Sequence, residues 1–274
     1  MPTLTIEPND RVTYKVRYQD EHLMVIGKPA GVVTAPGLGH EKDSLLNGLF
    51  AHIGPALQNL GKQRDFGLLH RLDKDTSGLV IVATTTRVYD ALRASFETRA
   101  IEKYYWAVTK SAPKTPKGLI RRPILEYEGK VPGDTRQKKL AKVGSSGKPA
   151  LTAYRVLAST HNGALLECRA VTGRLHQIRV HLDSIGCAIL GDTFYAPVSV
   201  RTAATRLALH AHRIAFDHPI TGERVDVRTP WPSDLRGVLK RLGIARPDLP
   251  PSKPKHTDEP ADDAIGDEQP PIGE

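Results

Sequence analysis

Residues 70–79, with the sequence HRLDKDTSGL, place charged side chains of both signs in a short polar loop before an apolar run. Asp73 lies two positions after Arg71 and directly before Lys74. A carboxylate with an ordinary pKa of about 3.9 is ionised at neutral pH and can act as a nucleophile or a general base. An aspartate in a turn rich in Thr, Ser and Gly can equally be a turn former or a helix cap. The loop alone leaves both interpretations open.

Three consecutive aromatic residues, Tyr104, Tyr105 and Trp106, lie in a stretch typical of a β-strand. Successive side chains of a strand point to opposite faces, so we expect Tyr105 to face away from its two neighbours. A phenol with a pKa of about 10 needs nearby positive charge or a proton relay to act as a base at neutral pH. Spacing alone is consistent with a core role for all three residues or with a site role for Tyr105.

Histidines are frequent in the second half of the chain, among them His176, His181, His210, His212 and His218. No HExxH motif and no paired Cys/His spacing accompanies them. Single histidines are more often hydrogen-bonded structural residues, so we expect no metal site. A metal-dependent nuclease that uses Asp73 and Asp75 is a further alternative, which a magnesium requirement or strand cleavage would reveal.

The composition of the 274-residue chain, with 39% hydrophobic and 25% charged residues, is typical of a soluble protein. The chain has no apolar run near the ~18 residues of a membrane helix, and its first residues do not resemble a secretory signal. We therefore expect a cytoplasmic protein with no membrane partner. Cys168 and Cys187 are too few for a disulfide framework, which predicts two reduced, buried thiols.

Charge is distributed unevenly along the chain. Residues 257–274 include seven acidic residues and no Lys or Arg, so residues 1–256 hold 39 basic and 23 acidic side chains, a balance of +16. A basic field of this size suits a polyphosphate such as RNA. Residues 110–148 are especially basic and form either a solvated face or a phosphate-contacting edge. The basic residues there include Lys114, Lys117, Arg121, Arg122, Lys130, Arg136, Lys138, Lys139 and Lys142.

Short segments rich in β-branched and aromatic residues, separated by Gly, Pro and Asp, predict β-strands. They cover residues 12–18, 23–27, 78–83, 104–109, 152–157 and 164–171. Residues 44–53 and 88–96 space apolar side chains three and four apart, which predicts amphipathic helices. The fold class is therefore α+β with a largely antiparallel sheet, and residues 110–148 are predicted to form surface loops and a hairpin. The absence of a GxGxxG motif and a P-loop argues against a dinucleotide or NTP site.

Residues 70–79 resemble the signature motif of the RluA-type pseudouridine synthases over ten consecutive positions. Segments similar to the family's other motifs follow in the family's order, from about residue 15 to residue 235. They are DEHLMVIGKPAG at 20–31, RAIEKYYWAV at 99–108, GKPALTAY at 147–154, TGRLHQIRVH at 172–181, GDTFY at 191–195, LALHA at 207–211 and FDHP at 216–219. One minor departure is Gly27, where the family usually has Asn before Lys-Pro.

The resemblance implies a pseudouridine synthase catalytic fold, with a mixed, mainly antiparallel central sheet flanked by helices and loops. The expected organisation is an N-terminal extension at residues 1–14, a catalytic domain at 15–245 and a disordered, Pro-rich acidic tail at 246–274. Only about 15 residues precede the first strand of the family pattern, fewer than the S4-type RNA-binding domain of many relatives needs. Substrate selection is therefore expected to depend on the catalytic domain and its basic loops.

The resemblance also implies roles for individual residues. Asp73 is the essential carboxylate, which attacks C1′ or takes a proton from C2′, and the sequence leaves both routes open. Arg179 keeps Asp73 ionised, and Tyr105 stacks on the target uracil and assists loss of the C5 proton. Arg71 fills the space of the flipped base or holds a flanking phosphate, and its structural alternative is a surface ion pair with Asp73 or Asp75. The other implied substrate-binding residues are Leu72, Lys103, Arg174, Ile178 and Leu209.

The implied reaction breaks the N1–C1′ bond of uridine, turns the uracil, joins C5 to C1′ and removes the C5 proton. It involves no redox change or net hydrolysis, so no cofactor is expected. The expected partner is a stem-loop of rRNA or tRNA, and the enzyme is expected to be a monomer. The main alternative is an RNA-binding or ribosome-assembly protein that keeps the fold without turnover. Loss of Asp73, Tyr105 or Arg179 would have indicated it, and all three are present.

Overall fold

The structure, a computed structural model, describes residues 5–131 and 135–247. The strands are β1 Lys15–Gln19, β2 Leu23–Lys28, β3 Ser77–Ala83, β4 Glu102–Thr109, β5 Lys117–Arg121, β6 Ile124–Gly129, β7 Lys138–Val143, β8 Leu151–Thr160, β9 Gly163–Ala170, β10 Leu209–Asp217 and β11 Arg224–Arg228. The α-helices are α1 Leu45–Leu60, α2 Thr86–Glu97, α3 Gln177–Asp183, α4 Val198–Arg201 and α5 Arg236–Leu242.

One mixed sheet organises the described residues. Its strand order is β1-β2-β3-β10-β4-β9-β8-β5, and β11 pairs with β10. β3 and β10 are parallel, whereas the other strand pairs of the described ranges are antiparallel. β6 and β7 form a separate two-stranded hairpin. The predicted α+β fold with a mixed, mainly antiparallel central sheet is confirmed.

The core is densest around β2 and β3. Every residue of β3 is buried, and α1 and α2 contribute buried leucines to the same cluster. Ser44 starts α1 with a capping box, because its Oγ accepts from the Asn47 N–H while the Asn47 side chain accepts from the Ser44 N–H. Pro55 lacks a backbone N–H, and α1 is kinked at Ile53.

The β6–β7 hairpin packs beside α3 through a second, smaller hydrophobic cluster. Ile124, Ala141 and Ala150 contact Val180 of α3, and Tyr195 packs against the same group. The hairpin belongs to the basic segment that was predicted to contain a surface hairpin, which the structure confirms. β5, from the same segment, instead joins the edge of the main sheet beside β8.

Outside the basic segment, five helices and strands were absent from the prediction: α3, α4, α5, β10 and β11. α3 has seven residues, too few for a helical period to stand out. β10 alternates apolar residues with His210, His212 and Arg213, so it reads as polar although it lies in the middle of the sheet. His210 is accommodated there by a 2.9 Å hydrogen bond between its Nδ1 and Ser77 Oγ, and the His212 ring stacks on Trp106 at 3.9 Å.

Cys168 and Cys187 are free and buried, as predicted. Among the described residues, none of the helices has the length and apolar character required to cross a membrane. The predicted tail at 246–274 lies outside the described residues except for its first two positions.

Candidate active site

The loop that carries Asp73 is held by the segment that follows β2. Thr34 Oγ1 donates to the Leu72 carbonyl at 2.8 Å and accepts from the Leu72 N–H at 3.1 Å. The Gly31 N–H donates to the Lys74 carbonyl at 2.8 Å. Because Leu72 and Lys74, on both sides of Asp73, are hydrogen-bonded through their backbones, the backbone that carries the carboxylate is held in place.

Lys28, the last residue of β2, also holds the Asp73 loop through hydrogen bonds. Its side chain is buried, and Nζ donates to three backbone carbonyls, those of Pro29, Val32 and Lys74. Burial lowers the pKa of Lys28 to about 7, while the negative charges of Asp73 and Asp75 oppose that shift. Lys28 therefore holds the Asp73 loop through backbone carbonyls and does not use a carboxylate as its hydrogen-bond acceptor.

Gly78 joins the loop to the centre of the sheet. Its φ of +125° favours glycine, and a Cβ at this position would lie 2.2 Å from the Ala211 carbonyl oxygen. Gly78 and Ala211 are partners in the parallel β3–β10 pair, and Ala211 is in turn opposite Tyr105 of β4. Because the backbones of β3, β10 and β4 lie side by side here, the end of the Asp73 loop and Tyr105 lie in the same region.

Asp73 shares the guanidinium of Arg179 with a second carboxylate. Arg179 donates to Asp192 through Nε at 2.9 Å and Nη2 at 2.8 Å, and its Nη1 lies 3.4 Å from Asp73 Oδ2. Burial alone would raise the pKa of Asp192, but the hydrogen bonds and charge of Arg179 lower it overall. The bidentate pair is thus permanent, and Asp73 is the more loosely held acid.

Two aromatic rings enclose the Arg179 guanidinium. Its central carbon lies 4.7 Å from the ring centroid of Phe194 and 5.1 Å from that of Tyr195. Burial would lower the pKa of Arg179, but Asp192 and then Asp73 raise it above its ordinary value. The cation is therefore charged at any working pH and fixed in direction.

His176, the residue directly before α3, faces Asp73. Its Nε2 lies 3.9 Å from Asp73 Oδ2, and its Nδ1 lies 2.6 Å from the Tyr195 hydroxyl. Burial lowers the pKa of His176 to about 4 although Asp73 acts in the opposite direction. Arg179 and His176 both face Oδ2, whereas Asp73 Oδ1 accepts no hydrogen bond from the described part of the chain.

Tyr105 is buried in the sheet between Cys168 of β9 and Ala211 of β10. Burial, and then the negative charge of Asp73, raise the pKa of Tyr105 well above its usual value. The phenol is therefore neutral at physiological pH. It can stack and relay a proton, but it cannot act as a preformed phenolate.

The neighbours of Tyr105 use the opposite face of the sheet. Arg213 and Arg169 lie over the Tyr104 ring at 4.9 and 5.8 Å, and Trp106 stacks on His212 with an interplanar angle of 3°. The predicted alternation of the three aromatic residues is thus confirmed.

The predicted apolar contacts are all buried. Leu209 is opposite Ala107 in the β4–β10 pair, which places it on the same sheet face as Tyr105. Ile178 is adjacent in sequence to Arg179 in α3. Leu72 packs into the main core, with its backbone held as described above.

Two predicted phosphate contacts, Lys103 and Arg174, are both half-buried. Lys103 Nζ lies 5.2 Å from the Phe96 ring centroid, and burial lowers the pKa of Lys103 to about 8. A Cβ on Gly173 would lie 3.7 Å from this ammonium, which therefore sits beside the loop before α3. Arg174, from that loop, donates through Nε to the Pro149 carbonyl at 3.1 Å.

Arg71 is exposed at the rim of the Asp73 loop. The structure does not show the alternative contact for this residue, an ion pair with Asp73 or Asp75. No carboxylate of the described residues lies within ion-pair distance of its guanidinium, although both acids are close in sequence. The side chain is therefore available to a ligand.

The other histidines have structural environments. His181 contacts Thr152 Oγ1 through Nδ1 and the Arg122 carbonyl through Nε2, each at 2.9 Å. His210 contacts Ser77, as noted above. In the part of the chain that the structure describes, no three His, Cys, Asp or Glu side chains are grouped so that they could hold a metal ion.

Several residues of this cluster received no role from the sequence. They are Lys28, Thr34, His176, Asp192 and Tyr195. All but Thr34 lie inside segments that resemble family motifs, which was the one available signal. Their contacts depend on side chains distant in the chain, so single-sequence spacing does not reveal which atom each one meets.

The sequence model of the family described as RNA pseudouridylate synthase matches residues 22–184. A protein of Zymomonas mobilis named ribosomal large subunit pseudouridine synthase D is 37% identical over 246 residues, which cover 87% of this chain and 75% of that protein. Its namesake from Pseudomonas aeruginosa is 38% identical over 247 residues, covering 84% of this chain and 72% of the relative.

A solved structure gives the same result at the level of the fold. Human RNA pseudouridylate synthase domain containing 4 is 27% identical and superposes with a TM-score of 0.64, covering 85% of this chain and 95% of that chain. The matched region contains the Asp73 loop, Tyr105 and Arg179.

Proposed function

The chain belongs to the RNA pseudouridylate synthase family and isomerises uridine in RNA to pseudouridine. We propose that Asp73, Arg179 and Tyr105 carry out this reaction and that the target is a uridine of a structured stem-loop. The proposed catalytic domain is residues 15–245, and the proposed active form is a monomer. The relatives named above act, by name, on the large ribosomal subunit, which favours rRNA as the substrate class. A tRNA stem-loop is the alternative.

One observation carries the assignment of Asp73: its two carboxylate oxygens have different environments. Oδ2 faces Arg179 and His176, and Oδ1 is left without a hydrogen-bond partner among the described residues. The carboxylate is 26% exposed, so a ligand can reach it. A carboxylate oriented in this way, with one free oxygen, can attack C1′ or remove the C2′ proton of a ribose.

The remaining steps are assigned to groups around that oxygen. Once the N1–C1′ bond is broken, the uracil turns within an apolar wall formed by Tyr105 and Leu209 or Ile178. C5 then bonds to C1′, and the C5 proton leaves through the Tyr105 phenol. Because this phenol is neutral, it gives its own proton to water as it receives the C5 proton, instead of acting as a phenolate. The freed N1 takes up one proton from water, so the proton balance closes. The atoms of uridine are only rearranged, so the reaction itself calls for no cofactor.

The RNA contacts follow from charge and exposure. The unpaired Arg71 guanidinium stacks in the space of the flipped base or binds a flanking phosphate. Lys103, beside the loop before α3, and Arg174, within that loop, bind phosphate oxygens, while Leu72 stays in the core and shapes the Asp73 loop.

The direct test is release of tritium from RNA labelled at C5 of uridine, with no added cofactor. We expect the wild-type protein to release tritium and Asp73→Asn to abolish release, because the amide cannot act as nucleophile or base. Asp75→Asn, a matched loss of one carboxylate in the same loop, is expected to retain most of the activity. Full activity in Asp73→Asn would refute the assignment. Mapping of pseudouridine in cells with and without the gene then identifies the substrate by the site that disappears.

A further inference from the structure

A chain of hydrogen bonds runs from the β6–β7 hairpin to the edge of Asp73. The Ala141 N–H, in β7, donates to the Tyr195 hydroxyl oxygen at 2.9 Å. The same oxygen lies 2.6 Å from His176 Nδ1. The other ring nitrogen, Nε2, lies 3.9 Å from Asp73 Oδ2. Three groups thus connect a hairpin outside the main sheet with the carboxylate.

The position of the protons follows from counting donors. Tyr195 has one hydroxyl proton, and its oxygen already accepts a hydrogen bond from the Ala141 N–H. The hydroxyl is therefore best placed to donate to His176 Nδ1. If Nδ1 carried a proton instead, the half-buried Tyr195 hydroxyl would have no acceptor. The Nε2 lone pair would then also face the negative Asp73 carboxylate. The favoured tautomer therefore has its proton on Nε2, directed at Asp73.

We infer that His176 is a positioning residue for Asp73: Tyr195 holds its ring in the Nε2–H tautomer, and this N–H donates to Asp73 Oδ2 when RNA closes the site. The inference rests on the proposed role of Asp73. Catalytic hydrogen bonds are often long without substrate and tighten in the reactive complex, so the 3.9 Å separation fits an open site.

The surroundings keep the imidazole a neutral donor. The titratable and charged groups that face it are Asp73, Arg71, Arg179, Asp192 and Tyr195. Burial outweighs the two acids and lowers the pKa of His176 to about 4, so the ring carries no charge at physiological pH. A neutral N–H orients the carboxylate without adding a second full positive charge beside Arg179, which would weaken Asp73 as a nucleophile or base.

The backbone of His176 indicates that its placement is specific. Its φ of 51° and ψ of 23° lie in the left-handed region, which is unfavourable for a residue with a Cβ. The ring is held by edge contacts with Phe194 at 5.4 Å and Tyr195 at 5.6 Å. Strained backbones persist where the surrounding structure requires them, and here the strain aims the ring at Asp73.

The first test removes the group that fixes the tautomer. In Tyr195→Phe, the Nδ1 hydrogen bond is lost and the His176 proton is free to distribute between both nitrogens. Long-range proton–nitrogen NMR correlations of the histidine rings are expected to show Nε2–H alone in the wild type and a mixture in the variant. The single-turnover rate on substrate RNA is expected to fall roughly 10-fold or more, with little change in RNA Kd.

Tyr14→Phe is the matched control, because the Tyr14 ring packs edge-on against His52, and its hydroxyl has no hydrogen bond among the described residues. It is expected to leave both the tautomer and the rate unchanged. A wild-type His176 protonated on Nδ1, or a Tyr195→Phe rate equal to that of the wild type, would overturn the inference.

A second pair of variants covers the case in which Tyr195→Phe does not fold. His176→Gln retains an N–H at the position of Nε2, whereas His176→Phe retains only the ring shape. We expect the glutamine variant to turn over faster than the phenylalanine variant at equal RNA affinity, and equal rates would overturn the inference. Activity in Asp73→Asn would instead refute the proposed catalytic role and leave the tautomer measurement unaffected.

Discussion

Arg179 divides its positive charge between two acids with different exposure. The Asp192 side chain is 2% exposed and bidentate, whereas the Asp73 side chain is 26% exposed and contacts one guanidinium nitrogen. A buried guanidinium needs a permanent counter-charge, because desolvation is costly for an unpaired ion. Asp192 provides it. Asp73 therefore interacts with the cation without being fully occupied by it, as its proposed catalytic role requires.

Asp192→Asn tests this division of roles. The variant leaves Arg179 buried without its bidentate partner, and we expect the free energy of unfolding to fall by about 3 kcal/mol. Arg179 should also turn toward Asp73 and lower turnover. The control is Asp234→Asn, which breaks a more exposed pair with Arg206 and is expected to cost about 1 kcal/mol or less. Urea unfolding measures both, and equal losses would contradict the assigned role of Asp192.

At the scale of elements, the sequence was informative where local rules decide the structure. The run of apolar residues in β3 and the apolar spacing of α1 and α2 correctly indicated a strand and two helices. The alternation around Tyr105 also followed from strand geometry. Elements such as α3 and β10 were not predicted. α3 is a single short helix, and β10 is held in the sheet by strands from distant segments of the chain. For the same reason the motifs indicated Asp73, Tyr105 and Arg179, but not the pairing of Arg179 with Asp192.

The parallel β3–β10 pair depends on a residue without a side chain. Gly78→Ala would place a Cβ 2.2 Å from the Ala211 carbonyl oxygen in a backbone conformation that L residues rarely adopt. We expect a loss of about 3 kcal/mol or more in the free energy of unfolding, together with loss of activity, because the Asp73 loop is displaced.

Gly31→Ala serves as the control for this substitution. Gly31 also has a positive φ, of +81°, but a Cβ there meets nothing within 4 Å. Its cost should be limited to the backbone conformation, about 1 kcal/mol. If both variants lost the same stability in urea titrations, the close approach of β3 and β10 would not be the cause.

At the scale of the whole molecule, the site closes only when segments far apart in the chain meet. Asp73 and Arg179 are 106 residues apart, and the strand that carries Tyr105 lies between them in sequence. β10, from the C-terminal part, separates β3 from β4 in the sheet and brings the Asp73 loop beside Tyr105. The polar side chains at this junction include buried histidines, so the assembled fold has a built-in sensitivity to acid.

His70, His176 and His210 determine the direction of that sensitivity. Burial lowers the pKa of His176 to about 4 and those of His70 and His210 to about 3, below the ordinary 6.5. Between pH 6.5 and about 4 the unfolded chain therefore binds more protons than the folded protein, so the free energy of unfolding falls as pH falls. At pH 5 each histidine contributes a loss of up to about 2 kcal/mol. Urea titrations at pH 7 and pH 5 should show the decrease, and His176→Gln should remove roughly a third of the contribution of these three histidines. The exposed His161 offers the control, since His161→Gln should leave the decrease intact. Stability that is constant from pH 7 to pH 5 would show that these rings are not held neutral by burial.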